Sequence, residues 1–267
     1  MVKETFGMSG KSPIKVDMKR GTYHDMSPAG PPPAETGAAF AQAAHFFRKG
    51  RLKDAETRVR YVLDREPGHI DGTYLLGQIT LQTGRAKEAV RLISKAIEGK
   101  GGVAEFHVNL GVALLASGQA EAGERSFESA IKIQTENGDA HLRLGIVLLR
   151  RGEFNEAISH LRAAARLMPE QPDARMNLGL ALSHRDGSLA GIGDLRKAVE
   201  LGPKDGLARA SLGNALIDLG DFDSALVEFD VALALHPNAA TLHFRRGRLL
   251  NQLGREREAV VAYSQAV

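Results

Sequence analysis

Glycine returns every 34 residues along this chain, at Gly77, Gly111, Gly145, Gly179, Gly213 and Gly247, with Ala43 one step earlier. A second series at the same interval is Gly50, Gly84, Gly118, Gly152, Asp186, Gly220 and Gly254. A third is Ala55, Ala89, Gly123, Ala157, Gly191, Ala225 and Ala259, and a fourth is Val62, Ala96, Ala130, Ala164, Ala198, Ala232 and Ala266. Register holds throughout without an insertion. The chain has 29 glycines in 267 residues, so six in one phase would arise by chance on the order of once in a million. The sequence is therefore a tandem array of one structural unit.

The stretch NLGVALLASGQAEAGERSFESAIKI, 109–133, shows what the unit contains. It reads as two short helices, A and B, interrupted at Gly118. Counting from repeats that begin at Thr36, Ile70, Ala104, Gly138, Pro172, Gly206 and Ala240, the four series fall at positions 8, 15, 20 and 27. Positions 8 and 20 are expected to be small because helices A and B of one repeat approach closely there. Position 27 is expected to be small where helix B meets the next helix A. Glycine at position 15 can take the left-handed conformation that ends helix A. Pro67, Pro169, Pro203 and Pro237 at position 32 are expected to stop helix B, so repeats with Gly101 or Thr135 there should have looser helix ends. In the fifth repeat Asp186-Gly187 replaces the leading glycine, which should displace its turn by one residue.

Bulky residues fill the complementary positions. Position 7 carries Leu76, Leu110, Leu144, Leu178 and Leu212, and position 24 carries Val59, Ile93, Phe127, Leu161, Leu195, Phe229 and Tyr263. Departures fall at the ends of the array. Gln42 suits a terminal, solvent-facing repeat. Arg246 is expected to pack its stem and place its head in solvent or against a carboxylate.

A 34-residue period with this arrangement resembles the tetratricopeptide repeat, over residues 36–267. The resemblance implies an all-α fold, a right-handed superhelical solenoid of helix-turn-helix repeats, with six full repeats and a truncated seventh. Residues 1–35, ending in the run PAGPPPAE, read as a flexible leader. The array stops at position 28 of the seventh repeat, and self-association through this uncapped end is an expectation, as is a longer parent protein.

Charge and cysteine narrow the function classes. With no cysteine, disulfides, thiolate metal sites and cysteine nucleophiles are excluded. The formal charge of +3 is 35 basic less 32 acidic residues, and residues 1–33 supply five basic against three acidic. The remainder is near neutral, so no nucleic-acid footprint is expected. No apolar run in the first 33 residues suits a secretory signal, and a cytoplasmic location without membrane contact is expected.

Motifs with chemical potential fail on context. His184-Arg185-Asp186-Gly187 contains the kinase catalytic-loop triplet, and Ser183, His184 and Asp186 include the residue types of a hydrolase triad. A kinase needs further motifs on strands, and three near-consecutive residues at one helix end do not easily converge on one substrate atom. GSLAGIGD at 187–194 and EGKGG at 98–102 lack the features of a phosphate loop. His107, His141 and His243 share position 4 and read as half-buried helix surface rather than a zinc set, which needs three or four converging ligands. No enzyme activity, metal or cofactor is expected.

What remains is the inner surface that the family forms from helix A positions 2, 5, 6, 9, 12 and 13. Its first half reads apolar or neutral, with Phe40, Phe47, Tyr74, Gln78, Gln82, Val108, Asn109 and Val112. Its second half reads polar and basic, with Arg143, Arg150, Asn177, His184, Asn214, Asp218, Arg245, Arg248 and Asn251. Asp139 precedes Arg143 by four residues and can hold it, whereas position 2 of the last repeat is Thr241. The expected function is a noncatalytic scaffold that binds a protein or peptide segment, acidic toward the arginines, in this groove.

Two narrower resemblances bear on that reading. The family's chaperone-tail clamp uses Lys at position 5, which here is Phe40, Tyr74, Val108, Leu142, Met176, Ala210 and Phe244, so that clamp is missing. The run HIDGTYLLGQITLQTGRAKEAVRLISKAI, with HVNLGVALLASGQAEAGERSFESAI after it, is similar to the amino-terminal arms of bacterial O-linked N-acetylglucosamine transferase-like and sulfotransferase proteins. In the transferase arms an asparagine ladder at position 6 grips the substrate backbone. Asn109 and Asn177 match it, while Leu75, Arg143, Ser211 and Arg245 do not. The resemblance implies, as an alternative, a substrate-recruiting arm of a larger enzyme.

Overall fold

The computed structural model describes residues 34–266, and the expected leader lies outside the described residues except for its last two positions. All secondary structure among them is helical, in fourteen helices. The A helices are α1 (Ala34–Arg48), α3 (Ile70–Gln82), α5 (Ala104–Ala116), α7 (Gly138–Arg151), α9 (Pro172–Asp186), α11 (Gly206–Asp218) and α13 (Ala240–Gln252). The B helices are α2 (Leu52–Arg65), α4 (Ala86–Gly99), α6 (Ala120–Ile133), α8 (Phe154–Leu167), α10 (Ser188–Leu201), α12 (Phe222–Leu235) and α14 (Glu256–Ser264). Each A helix packs along the B helix of its own repeat. The chain forms two compact units, one holding α1–α4 and the other α5–α14. Within each unit every B helix also packs on the A helix that follows, so each is a stack of helix pairs.

The small residues sit where backbones crowd. A methyl placed on Gly111 would stand 2.4 Å from the Phe127 ring, and one on Gly145 would stand 2.6 Å from Leu161 Cγ. Positions 8 and 24 of one repeat therefore interlock, a glycine notch receiving the bulky side chain of the partner helix. The tightest case is the fifth repeat, where a methyl on Gly191 would stand 2.0 Å from the Gly179 carbonyl oxygen. Position 27 is fully buried at Val62, Ala130, Ala164, Ala198 and Ala232.

Turns follow the glycines. Position 15 has φ of +71° at Gly50, +80° at Gly84, +85° at Gly118, +83° at Gly152, +79° at Gly220 and +72° at Gly254. In the fifth repeat α9 runs on to Asp186 and the positive φ, +90°, passes to Gly187, the one-residue displacement the sequence implies.

The proline expectation needs correction. In every repeat from the first to the sixth, helix B ends at position 30, at Gly99 and Ile133 as at Arg65 and Leu167. In each, the residue at position 31 donates its N–H to the carbonyl of position 27 and then leaves helical geometry, as Lys100 does with φ −139° and Gln134 with φ −136°. With or without proline, the first residue of the repeat's own helix A packs against this end, as Ile70 does against Gly99 and Gly138 against Met168. Gln42 is exposed, as a terminal repeat requires. Arg246 places Nε 2.5 Å from Asp230 Oδ1, so its head finds a carboxylate.

Candidate functional site

In the unit holding α5–α14, neighbouring A helices touch directly, α7 against α9 and α9 against α11, and so form one face. In the other unit α1 touches α3 in the same way. The residues expected to line an inner surface differ widely in access. Phe47 and Tyr74 are 9% and 3% exposed, and Phe47 belongs to a core with Ala43, Val59 and Ile79. The apolar surface expected from them is therefore mostly interior. Phe40 is half-buried against the His69 ring at 4.8 Å. Gln78 donates from Nε2 to the Tyr74 hydroxyl at 3.3 Å, and its Oε1 is buried without a partner.

Among α5–α14 most polar candidates are occupied by the protein itself. Asn109 is 9% exposed, and Asn177 donates from Nδ2 to the Asp173 carbonyl at 2.8 Å, so neither position 6 asparagine is an open rung. Arg143 pairs with Asp139 at 3.0 Å, as the sequence spacing implies. Arg245 donates from Nη1 to Asn214 Oδ1 at 2.7 Å, tying α13 to α11 and occupying two candidates at once. Asp218 accepts from the Ser188 hydroxyl at 2.6 Å. His184 is exposed and lies parallel to the Phe154 ring at 5.6 Å. Arg150 and Arg248 are exposed and have no ion-pair or hydrogen-bond partner among the described residues.

The expected basic character is also offset. At the helix A positions of this unit, Arg143, Arg150, Arg245 and Arg248 stand against Glu105, Asp139, Asp173 and Asp218. Glu105, Asp139 and Asp173 are all in first turns, where a carboxylate complements the helix dipole. The face is thus locally cationic at Arg150 and Arg248 and near neutral as a whole.

The residues that suggested catalysis point apart. Ser183 Oγ is buried without a partner beside Gly191, while His184 lies outside on Phe154. Arg185 holds Asp186 in an ion pair and keeps that carboxyl below its ordinary range. No three metal-ligating side chains cluster among the described residues, and no helix there is long and apolar enough to cross a membrane.

Position 4, read from the sequence as helix surface, has a definite task. His107, His141 and His243 each place Nε2 against the carbonyl of position 32 of the repeat before, at 3.0 Å from Gly101, 3.0 Å from Thr135 and 2.7 Å from Pro237. Arg209 does the same with Nε to Pro203, at 2.9 Å. Position 4 also reaches across to position 23 of its own repeat, in Arg175–Asp194 at 2.9 Å, Arg209–Glu228 at 2.7 Å and His141–His160 at 2.9 Å. A long donor recurring at position 4 was the sequence signal for these clips.

Family models described as tetratricopeptide repeat match residues 40–104, 114–178 and 210–267, most of the chain. The chain belongs to the tetratricopeptide repeat family. Solved structures of tetratricopeptide proteins share its fold. One from Parabacteroides merdae is 15% identical over 87% of this chain and 92% of its own, with a TM-score of 0.68. MamA from Desulfovibrio magneticus RS-1 is 24% identical over 63% and 95%, with a TM-score of 0.57. YrrB, described as having an unusual peptide-binding site, is 24% identical over 65% and 90%, with a TM-score of 0.54. At these identities the likeness is one of fold. No curated protein sequence matches the chain.

Proposed function

We propose that this tetratricopeptide array is a noncatalytic scaffold in the cytoplasm that holds a protein or peptide segment against the A-helix face of α5–α14. Membership in a family of interaction scaffolds supports the general role. YrrB, of like fold, is described as having a peptide-binding site. One observation carries the choice of face and chemistry: Arg150 and Arg248 stand exposed and unpaired while Arg143 and Arg245 are engaged within the protein. An exposed guanidinium fork pairs in two-pronged fashion with a carboxylate, so the bound segment offers Asp or Glu at these two points.

Phage-displayed random peptides panned on the full chain test this. Acidic peptides should be enriched, should bind more weakly as salt rises, and should lose at least about tenfold in affinity to the Arg150→Glu, Arg248→Glu variant. Selected peptides that bind the variant as well as the unaltered chain would place recognition on another surface.

A further inference from the structure

The fourth repeat contains two histidines in direct contact across its helix pair. His141 on α7 and His160 on α8 place their Nδ1 atoms 2.9 Å apart, with ring centroids at 5.2 Å. The second nitrogen of His141 fixes where the protons are. Its Nε2 is 3.0 Å from the Thr135 carbonyl, which can only accept, so Nε2 carries a hydrogen. Neutral His141 then has a bare Nδ1, and the bond between the rings is donated by His160 Nδ1–H. A first added proton, whether on His160 Nε2 or, with His160 as its Nε2–H tautomer, on His141 Nδ1, leaves one hydrogen between the rings. A second puts a hydrogen on both Nδ1 atoms, where they meet head on.

We propose that the His141–His160 pair is an acid-sensitive clasp between α7 and α8, closed while the pair holds at most one added proton and opened when both rings become imidazolium. Two adjacent positive rings at this separation repel, and the same geometry that makes one hydrogen bond in neutral solution makes none in the doubly protonated state. The charged groups acting on His160 are His141 from α7, Glu128 from α6 and Glu156 on α8 itself. The two carboxylates favour protonation of His160, but burial first and His141 second outweigh them and hold its pKa below the ordinary histidine value. No charged group from α9 enters among the described residues.

Location gives the clasp a consequence. Arg143 and Arg150 are carried by α7, so opening the pair releases the helix that presents Arg150. That consequence rests on the reading of the A-helix face above, whereas the clasp itself does not.

The sign of the effect follows from linkage. His160, held below its unfolded value, binds fewer protons folded than unfolded, so stability present at neutral pH is lost as pH falls below about 6.5. Two measurements on the full chain test it. Long-range nitrogen–proton NMR at pH 7.5 should show His141 protonated at Nε2 and His160 at Nδ1; the reverse tautomers would overturn the assignment. Melting temperatures between pH 7.5 and 5.0 should then be compared with His160→Gln, whose amide can still donate to His141 but takes up no proton. The unaltered chain should lose at least about 2 °C more than the variant over that range. Equal losses would overturn the clasp. If the variant does not fold, the NMR titration decides: His141 and His160 signals should shift together and broaden as α7–α8 amides lose protection, and independent titration without lost protection would overturn it.

Discussion

Gly191→Ala and Gly193→Ala alter the same helix by the same methyl and should change stability in opposite directions. On Gly193 the methyl would meet nothing within 4 Å, so the substitution removes backbone freedom from the unfolded chain and should stabilise by about 0.5–1 kcal/mol. On Gly191 it would stand 2.0 Å from the Gly179 carbonyl oxygen and 2.2 Å from Ser183 Oγ. Carbon–oxygen contacts in folded proteins settle near 3.3 Å or beyond, so α9 and α10 must part by roughly 1 Å. Leu195 on α10, fully buried against Gly179, would feel that gap first. A buried leucine makes about 50 contacts worth roughly 0.1–0.2 kcal/mol each, and a 1 Å gap forfeits a quarter to a half of each, which is about 3 kcal/mol. Less the helix-propensity gain, Gly191→Ala should destabilise by about 2 kcal/mol, within the range for overpacked cores. Urea unfolding followed by circular dichroism, with amide exchange in α9 and α10 as a local readout, measures both variants. If Gly191→Ala is as stable as Gly193→Ala, the close contact of these two backbones is refuted.

Two further outcomes are expected from the rest of the chain. Gly111→Leu should lower the melting temperature markedly, by about 1–3 kcal/mol or more in stability, because its side chain would enter the Phe127 ring, while Leu at exposed Lys87 should change little; matching melting curves would contradict the notch-and-knob packing of positions 8 and 24. Glu56 accepts two hydrogen bonds from Arg85, at 2.6 and 2.8 Å, and two from Arg60, at 2.8 and 3.2 Å. Led by Arg85, and against the opposing effect of burial, they lower its pKa to about 2. A carboxylate so depressed stabilises the fold above its unfolded pKa, near 4.5, and loses that contribution as pH falls toward 2. Carboxyl NMR should show a Glu56 midpoint near 2, and a midpoint near 4.5 would show that the arginines do not hold it.

How much of this was legible beforehand differs between fold and site. The 34-residue glycine and alanine series and the Asp186-Gly187 shift were readable because they repeat: a positive φ is demanded of one residue by its own turn and a missing Cβ by the partner helix of the same repeat, and both demands recur with the period. Arg143–Asp139 was readable for the same reason, since four residues on one helix fix two side chains as neighbours. The interaction face was not. Whether Phe47 lies in a groove or in a core, and whether Arg245 is available or tied to Asn214 31 residues away, depends on how far adjacent helices overlap.

The sequence by itself determined the period, the helix pairing, the turn residues and the exclusion of cysteine chemistry. Tertiary structure decided where helix B stops, at position 30 with or without proline, where the start of the repeat's own helix A packs against the end. It decided also that position 4 clips one repeat to the loop before it, and that His141 faces His160. Those outcomes turn on contacts between residues that are distant in sequence, and a repeat pattern specifies which positions meet but not the hydrogen bonds that the particular side chains then make.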